Sequence, residues 1–94
     1  MRARLQLLSK DQGGRHTPIF DDYRPRFVAG TAEHGDADLG VAVVKLAADP
    51  MMMPGTEGDV DLEPVDATLW TNVATGLVLG VFEEQKQVGT ATLL

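Results

Sequence analysis

The chain has 94 residues, 44% of them apolar, no cysteine and a formal net charge of −6. That length accommodates one small domain with a modest core. It excludes disulfides and thiolate metal sites, fits a reducing compartment, and disfavours unaided nucleic-acid binding, because an acidic protein repels phosphate at long range.

The charge is unevenly placed. Residues 1–26 hold six Lys/Arg and three Asp, a local +3, whereas residues 27–94 hold two Lys and eleven Asp/Glu, a local −9. The N-terminal "MRARLQLLSK" has too short an apolar stretch for a signal peptide, and no small-residue cleavage site follows it. No run of about 18 apolar residues exists to form a spanning helix. The expectation is a soluble cytoplasmic chain with no membrane contact.

Taken in chain order, the segments alternate as strands do. "RARLQLLS" puts Ala3, Leu5 and Leu7 on one face and Arg2, Arg4 and Gln6 on the other. "RFVAGTA" is a second short candidate. "LGVAVVKLA" is apolar and β-branched, suiting a buried strand or a barrel wall. "GDVDLEPV" turns Val60 and Leu62 inward and Asp59, Asp61 and Glu63 outward, with Pro64 ending it or marking an edge. "LVLGVFEE" and "KQVGTATLL" face each other across "EEQK". Glycine and proline punctuate the gaps, and no stretch keeps a helical apolar period over three turns. Six short strands predict an all-β barrel or sandwich.

One stretch resists that simple pattern. "LSKDQGGRHTPIFDDYRPRF" packs two adjacent glycines, an Arg-His pair and two X-Pro steps into twenty residues. Gly13-Gly14 offers a strained backbone site. Thr17 and Arg24, each before a proline, are pushed toward extended geometry. Ile19, Phe20, Tyr23 and Phe27 are the expected anchors. The segment is predicted to be an ordered excursion, with Gly13 or Gly14 at positive φ.

This stretch closely resembles the start of the C-terminal β-barrel, domain III, of bacterial elongation factor Tu. "MMMPGTEGDVDL" and "GLVLGVFEEQKQVGTATLL" resemble two later landmarks of that family, in the same order and spacing. The resemblance covers essentially the whole chain. It implies a closed six-stranded antiparallel Greek-key barrel, with residues 1–94 as a single domain. No Gly-Lys pair exists for a phosphate-cradling loop, so no GTPase domain, no GTP and no other cofactor are expected.

The resemblance also implies sites. Arg15, His16 and Glu83 match positions near the backbone of bound tRNA. Glu84 and Gln85 stand where the family has Gly-Gly, which adds a carboxylate facing phosphate. Gly13 and Arg26 match the surface that faces the GTPase domain, with Arg24 beside them as a further candidate partner contact. Arg26 replaces a usual Gln, and "ATLWTNVATG" replaces the family's His-Pro stretch.

Each residue has a plainer reading. Arg15 and His16 can close the loop on backbone carbonyls, or touch RNA or protein. His34 sits in an expected exposed turn. Asp59, Asp61 and Glu63 read as a solvated strand face, since they lack EF-hand spacing, and no metal is expected. Met51 to Met53 are core or barrel rim, or a soft partner surface. Trp70 is core filler or an interface anchor. No nucleophile with a base and an orienting group is visible, so no enzyme is expected. The functional expectation is a non-enzymatic module docking a protein partner, a translation factor or its regulator. The alternatives are an accessory module that binds tRNA weakly, and a structural domain without the ancestral role.

Overall fold

The computed structural model describes residues 1–31 and 35–94; the expectation for His34 lies outside them. The described residues form eight strands: β1 (Arg2–Leu7), β2 (Ile19–Phe20), β3 (Arg26–Thr31), β4 (Gly35–Leu46), β5 (Met51–Met52), β6 (Glu57–Pro64), β7 (Val78–Glu83) and β8 (Lys86–Leu93). Six close a barrel in the order β1-β6-β4-β3-β7-β8, every pair antiparallel. β3, β4 and β6 are consecutive neighbours and β1 returns beside β6, which is a Greek key. β2 and β5 form a separate two-stranded sheet.

Period-two alternation decides what is inside. Ala3, Leu5 and Leu7 of β1 are buried, as are Val60 and Leu62 of β6, while Arg4, Asp61 and Glu63 face solvent. On β4, Ala42 and Val44 are fully buried inside, while on the other side Val41 is exposed and Val43 is covered, so this apolar run is a barrel wall whose outer side is only partly open to solvent. Pro64 is the last residue of β6, where the missing N–H ends the ladder. Closure leaves no unpaired edge in the barrel.

Two short 3-10 turns interrupt the strand pattern. In the turn Ala67–Trp70 the Asp66 carboxylate accepts from the Thr68 N–H and caps the start. It drives Trp70 into the core, where the indole Nε1 donates to the Leu39 carbonyl at 2.7 Å. The indole meets the Phe27 ring edge-on, 5.5 Å between centroids. Trp70 is therefore core filler.

The turn Lys10–Gln12 opens the long excursion. Ser9 and Gln12 form a reciprocal capping box, and Gly13 ends the turn at φ 87°. Gly14 serves a different need. A Cβ there would lie 2.2 Å from the Leu8 carbonyl oxygen. The adjacent glycines thus supply, in turn, a left-handed bend and a close backbone approach. Ile19 is buried and Tyr23 bridges to Val44, its carbonyl accepting from the Val44 N–H at 2.7 Å. Phe20 corrects the expectation: it is 55% exposed and anchors nothing. In a strand of two residues only one side chain can turn inward, and Ile19 takes that place.

Candidate functional site

Two features of the surface stand apart from the solvated strands: a polar cluster beneath the excursion and an apolar groove beside it. The cluster forms because β7 ends at Glu83, next to the loop that follows Gly14. Arg15 Nη1 and the Tyr23 hydroxyl both donate to the same Glu83 oxygen, Oε2. Arg15 also donates to the Thr17 and Pro18 carbonyls at 3.2 and 3.3 Å and to the Thr17 hydroxyl at 3.1 Å. Its guanidinium carbon lies 5.1 Å from the Tyr23 ring centroid. Lys86 reaches across to the Gly14 carbonyl at 3.2 Å. The excursion is thereby tied to the closing hairpin by charge-assisted hydrogen bonds.

Burial pushes the Tyr23 hydroxyl far above its ordinary range, and the hydrogen bond to Glu83 and that carboxylate's charge raise it further. A phenol whose folded value is raised contributes stability at pH below the unfolded value of about 10 and loses it as pH rises beyond. Tyr23 is the only tyrosine. Ultraviolet titration is therefore expected to show no phenolate until the protein unfolds, and Tyr23→Phe should shift the alkaline unfolding midpoint upward. A free phenolate titrating near pH 10 in folded protein would contradict the cluster.

Of the other residues singled out by sequence, His16 and Arg24 are exposed, and Gly13 is an exposed cap. Arg26 lies apart, on the outer face of β3, with its guanidinium 5.5 Å over the Phe82 ring and 3.8 Å from Asp38. Its Nε is buried without a partner among the described residues. Phe82 also belongs to an uncharged depression of about 290 Å³ that Arg26 does not line, formed with Val28, Gly30, Val78, Gly80, Gln87 and Thr90. The structure brings Arg15 and Glu83 together and leaves Arg26 separate from both.

Glu84 occupies the two-residue turn after Glu83, fully outside, at φ 56°. A left-handed backbone costs a side-chain-bearing residue about 1–2 kcal/mol. Glu84→Gly is expected to stabilise the protein by about 1 kcal/mol, read as a higher denaturant midpoint at unchanged slope. A neutral or destabilising result would show that the carboxylate is making a compensating contact.

The groove was not foreseen. β5 pairs with β2, placing Met51 directly opposite Phe20. Met52 is half-buried against the core, but Phe20, Met51 and Met53 are 55%, 42% and 51% exposed. The two readings open for the methionines divide between them: Met52 takes the core one, and Met51 and Met53 the exposed one. Beside them opens a groove of about 500 Å³, reaching Leu46 to Asp49, Thr56 to Asp59, and Arg2 and Arg4. Arg4 pairs with Asp59 at 2.9 Å and Glu57 at 3.6 Å, and Arg2 lies 3.7 Å from Asp59. No group of three potential metal ligands converges among the described residues.

A family profile, the elongation factor Tu C-terminal domain, matches residues 1–91. The chain belongs to this family. It is 38% identical over 93 residues to elongation factor Tu 2 of Streptomyces avermitilis, an alignment covering 97% of this chain and 21% of that relative. The chain thus spans about a fifth of the relative's length. The closed six-stranded barrel is the fold expected of the family. Among the described residues no helix is long and apolar enough to cross a membrane.

Proposed function

We propose that this chain is a non-enzymatic, translation-associated binding module that docks a protein partner through the Phe20, Met51 and Met53 surface. The carrying observation is that the large exposed side chains of Met51 and Met53 line an open groove, with exposed Phe20 paired directly opposite Met51. Contiguous apolar surface on a small acidic protein marks an interaction site, and methionines adapt to the shape of what they meet. A photo-crosslinking residue placed at Met51 or Met53 in the chain's own cells should yield one discrete protein adduct, and the same residue at Glu63 should not. Adducts spread equally over all three positions, or formed with RNA, would refute the reading.

The second reading, weak tRNA binding through Arg15, His16, Glu83 and Glu84, has one observation on its side: the structure brings Arg15 and Glu83 together. The Arg15 guanidinium, however, is already committed to Glu83, Thr17 and Pro18, and Glu84 adds an exposed carboxylate beside it. Phosphate contacts supply most sequence-independent affinity, so their scarcity predicts weak binding with a shallow salt slope. At about 0.15 M salt, tRNA is expected to bind weakly or not at all. Submicromolar binding that collapses on Arg15→Ala would move the function to RNA. Gly13, Arg24 and Arg26 remain candidates for a second protein contact.

A further inference from the structure

Resting on the docking reading above, we infer that the groove takes a basic amphipathic helix, a segment with an apolar face and lysine or arginine along its border. The floor is apolar and soft: Met51, Met52, Met53, Leu46 and Ala47, with Phe20 alongside. The rim is acidic. Asp49, Glu57 and Asp59 line the groove, and Asp21 stands between Phe20 and the Leu46 backbone, whose N–H donates to its carboxylate at 2.7 Å. Against these four carboxylates stand only Arg2 and Arg4.

Those two guanidiniums are taken up by Glu57 and Asp59. Asp49 makes no ion pair among the described residues and is exposed. Lys45, the nearest further cation in sequence, is held by Asp22, whose hydrogen bond raises the lysine above its ordinary value while the carboxyl is lowered. The rim therefore presents surplus negative charge around an apolar floor. An acidic helix or a phosphate backbone meets repulsion there, whereas lysines bordering an apolar face find partners. Docking an amphipathic helix by its apolar face is an established recognition mode, and methionine-lined grooves suit it. The net charge of −6 favours encounter with a basic partner over the whole surface.

The probe is a leucine–lysine peptide of about 14 residues that can form an amphipathic helix, with a leucine–glutamate peptide of the same pattern as its control. Calorimetry and circular dichroism on the intact chain should show micromolar binding of the lysine peptide, with gain of helix and a falling affinity as salt rises. Met51→Gln with Met53→Gln, both at exposed positions, should weaken it at least tenfold without altering the far-ultraviolet spectrum. Asp49→Lys should weaken it several-fold. If the glutamate peptide binds as tightly, the inference fails while the docking reading stands. If the lysine peptide binds but ignores the methionine changes, it is held by the acidic surface elsewhere and the inference again fails. If neither peptide binds at millimolar concentration, the inference falls, and the docking reading stands or falls on the crosslinking at Met51 and Met53.

Discussion

Trp70→Ala is expected to lower stability by about 3–5 kcal/mol. A small domain has only about 5–15 kcal/mol in total, so the variant should melt tens of degrees lower or fail to fold at 37 °C. The indole is buried, fills the space over Phe27 and satisfies the Leu39 carbonyl. Removing it leaves both a cavity and a buried unpaired oxygen. Trp70→Phe separates the two effects. It keeps an aromatic ring against Phe27 and loses the N–H donor, for an expected cost of about 1–3 kcal/mol. Thermal unfolding followed by circular dichroism measures both. A loss under 1 kcal/mol for the alanine variant would mean that the turn Ala67–Trp70 is not part of the core.

Gly14→Ala is expected to be the more damaging of two neighbouring glycine substitutions, at about 3 kcal/mol or above. The new methyl group would sit 2.2 Å from the Leu8 oxygen, 2.7 Å from its carbon and 2.8 Å from the Ser9 oxygen, all backbone. Backbone cannot swing aside as a flexible side chain does. Moving it would break the Gly14 N–H bond to the Ser9 carbonyl, 2.8 Å, which holds the turn shut. Gly13→Ala meets nothing within 4 Å and is opposed only by its left-handed backbone, for about 1 kcal/mol. Denaturant melts of the two variants should differ by about 2 kcal/mol, and equal losses would contradict the division of labour between them.

Six strands were legible in the sequence because each buries one face, and a one-residue shift in pattern would expose an entire row of leucines and valines. β2 and β5 were not, since two residues carry no period. The 3-10 turns were equally hidden, although Ser9 and Gln12 have the Ser-x-x-Gln spacing of a capping box and marked the first one. β4 begins four residues before the apolar run at Leu39, and its polar start, paired to β3, gives no hydrophobic signal.

At the cluster, the family resemblance brought Arg15 and Glu83 together on one surface, and the structure adds Tyr23 as the third member. The sequence marks Tyr23 only as an anchor, because its partner lies 60 residues away and local patterning cannot reach that far. The groove escaped for a related reason. Three consecutive methionines read as core, rim or partner surface until the pairing of Phe20 with Met51 shows that both sit on a two-stranded sheet apart from the barrel.

The seam of the barrel lies between β1 and β8, where Ala3 pairs with Leu93. Of the six barrel strands, β1 is synthesised first and its second neighbour, β8, last. Until β7 and β8 follow, β1 and β3 each keep one bare edge, and the inner leucines and valines stay open to other chains. The contact that ends this interval closes a loop spanning all six barrel strands, the arrangement with the largest closure entropy and the slowest expected step. A ribosome pausing before Val78 would therefore hold a half-built cylinder with sticky margins, the stage at which a chaperone has most to protect.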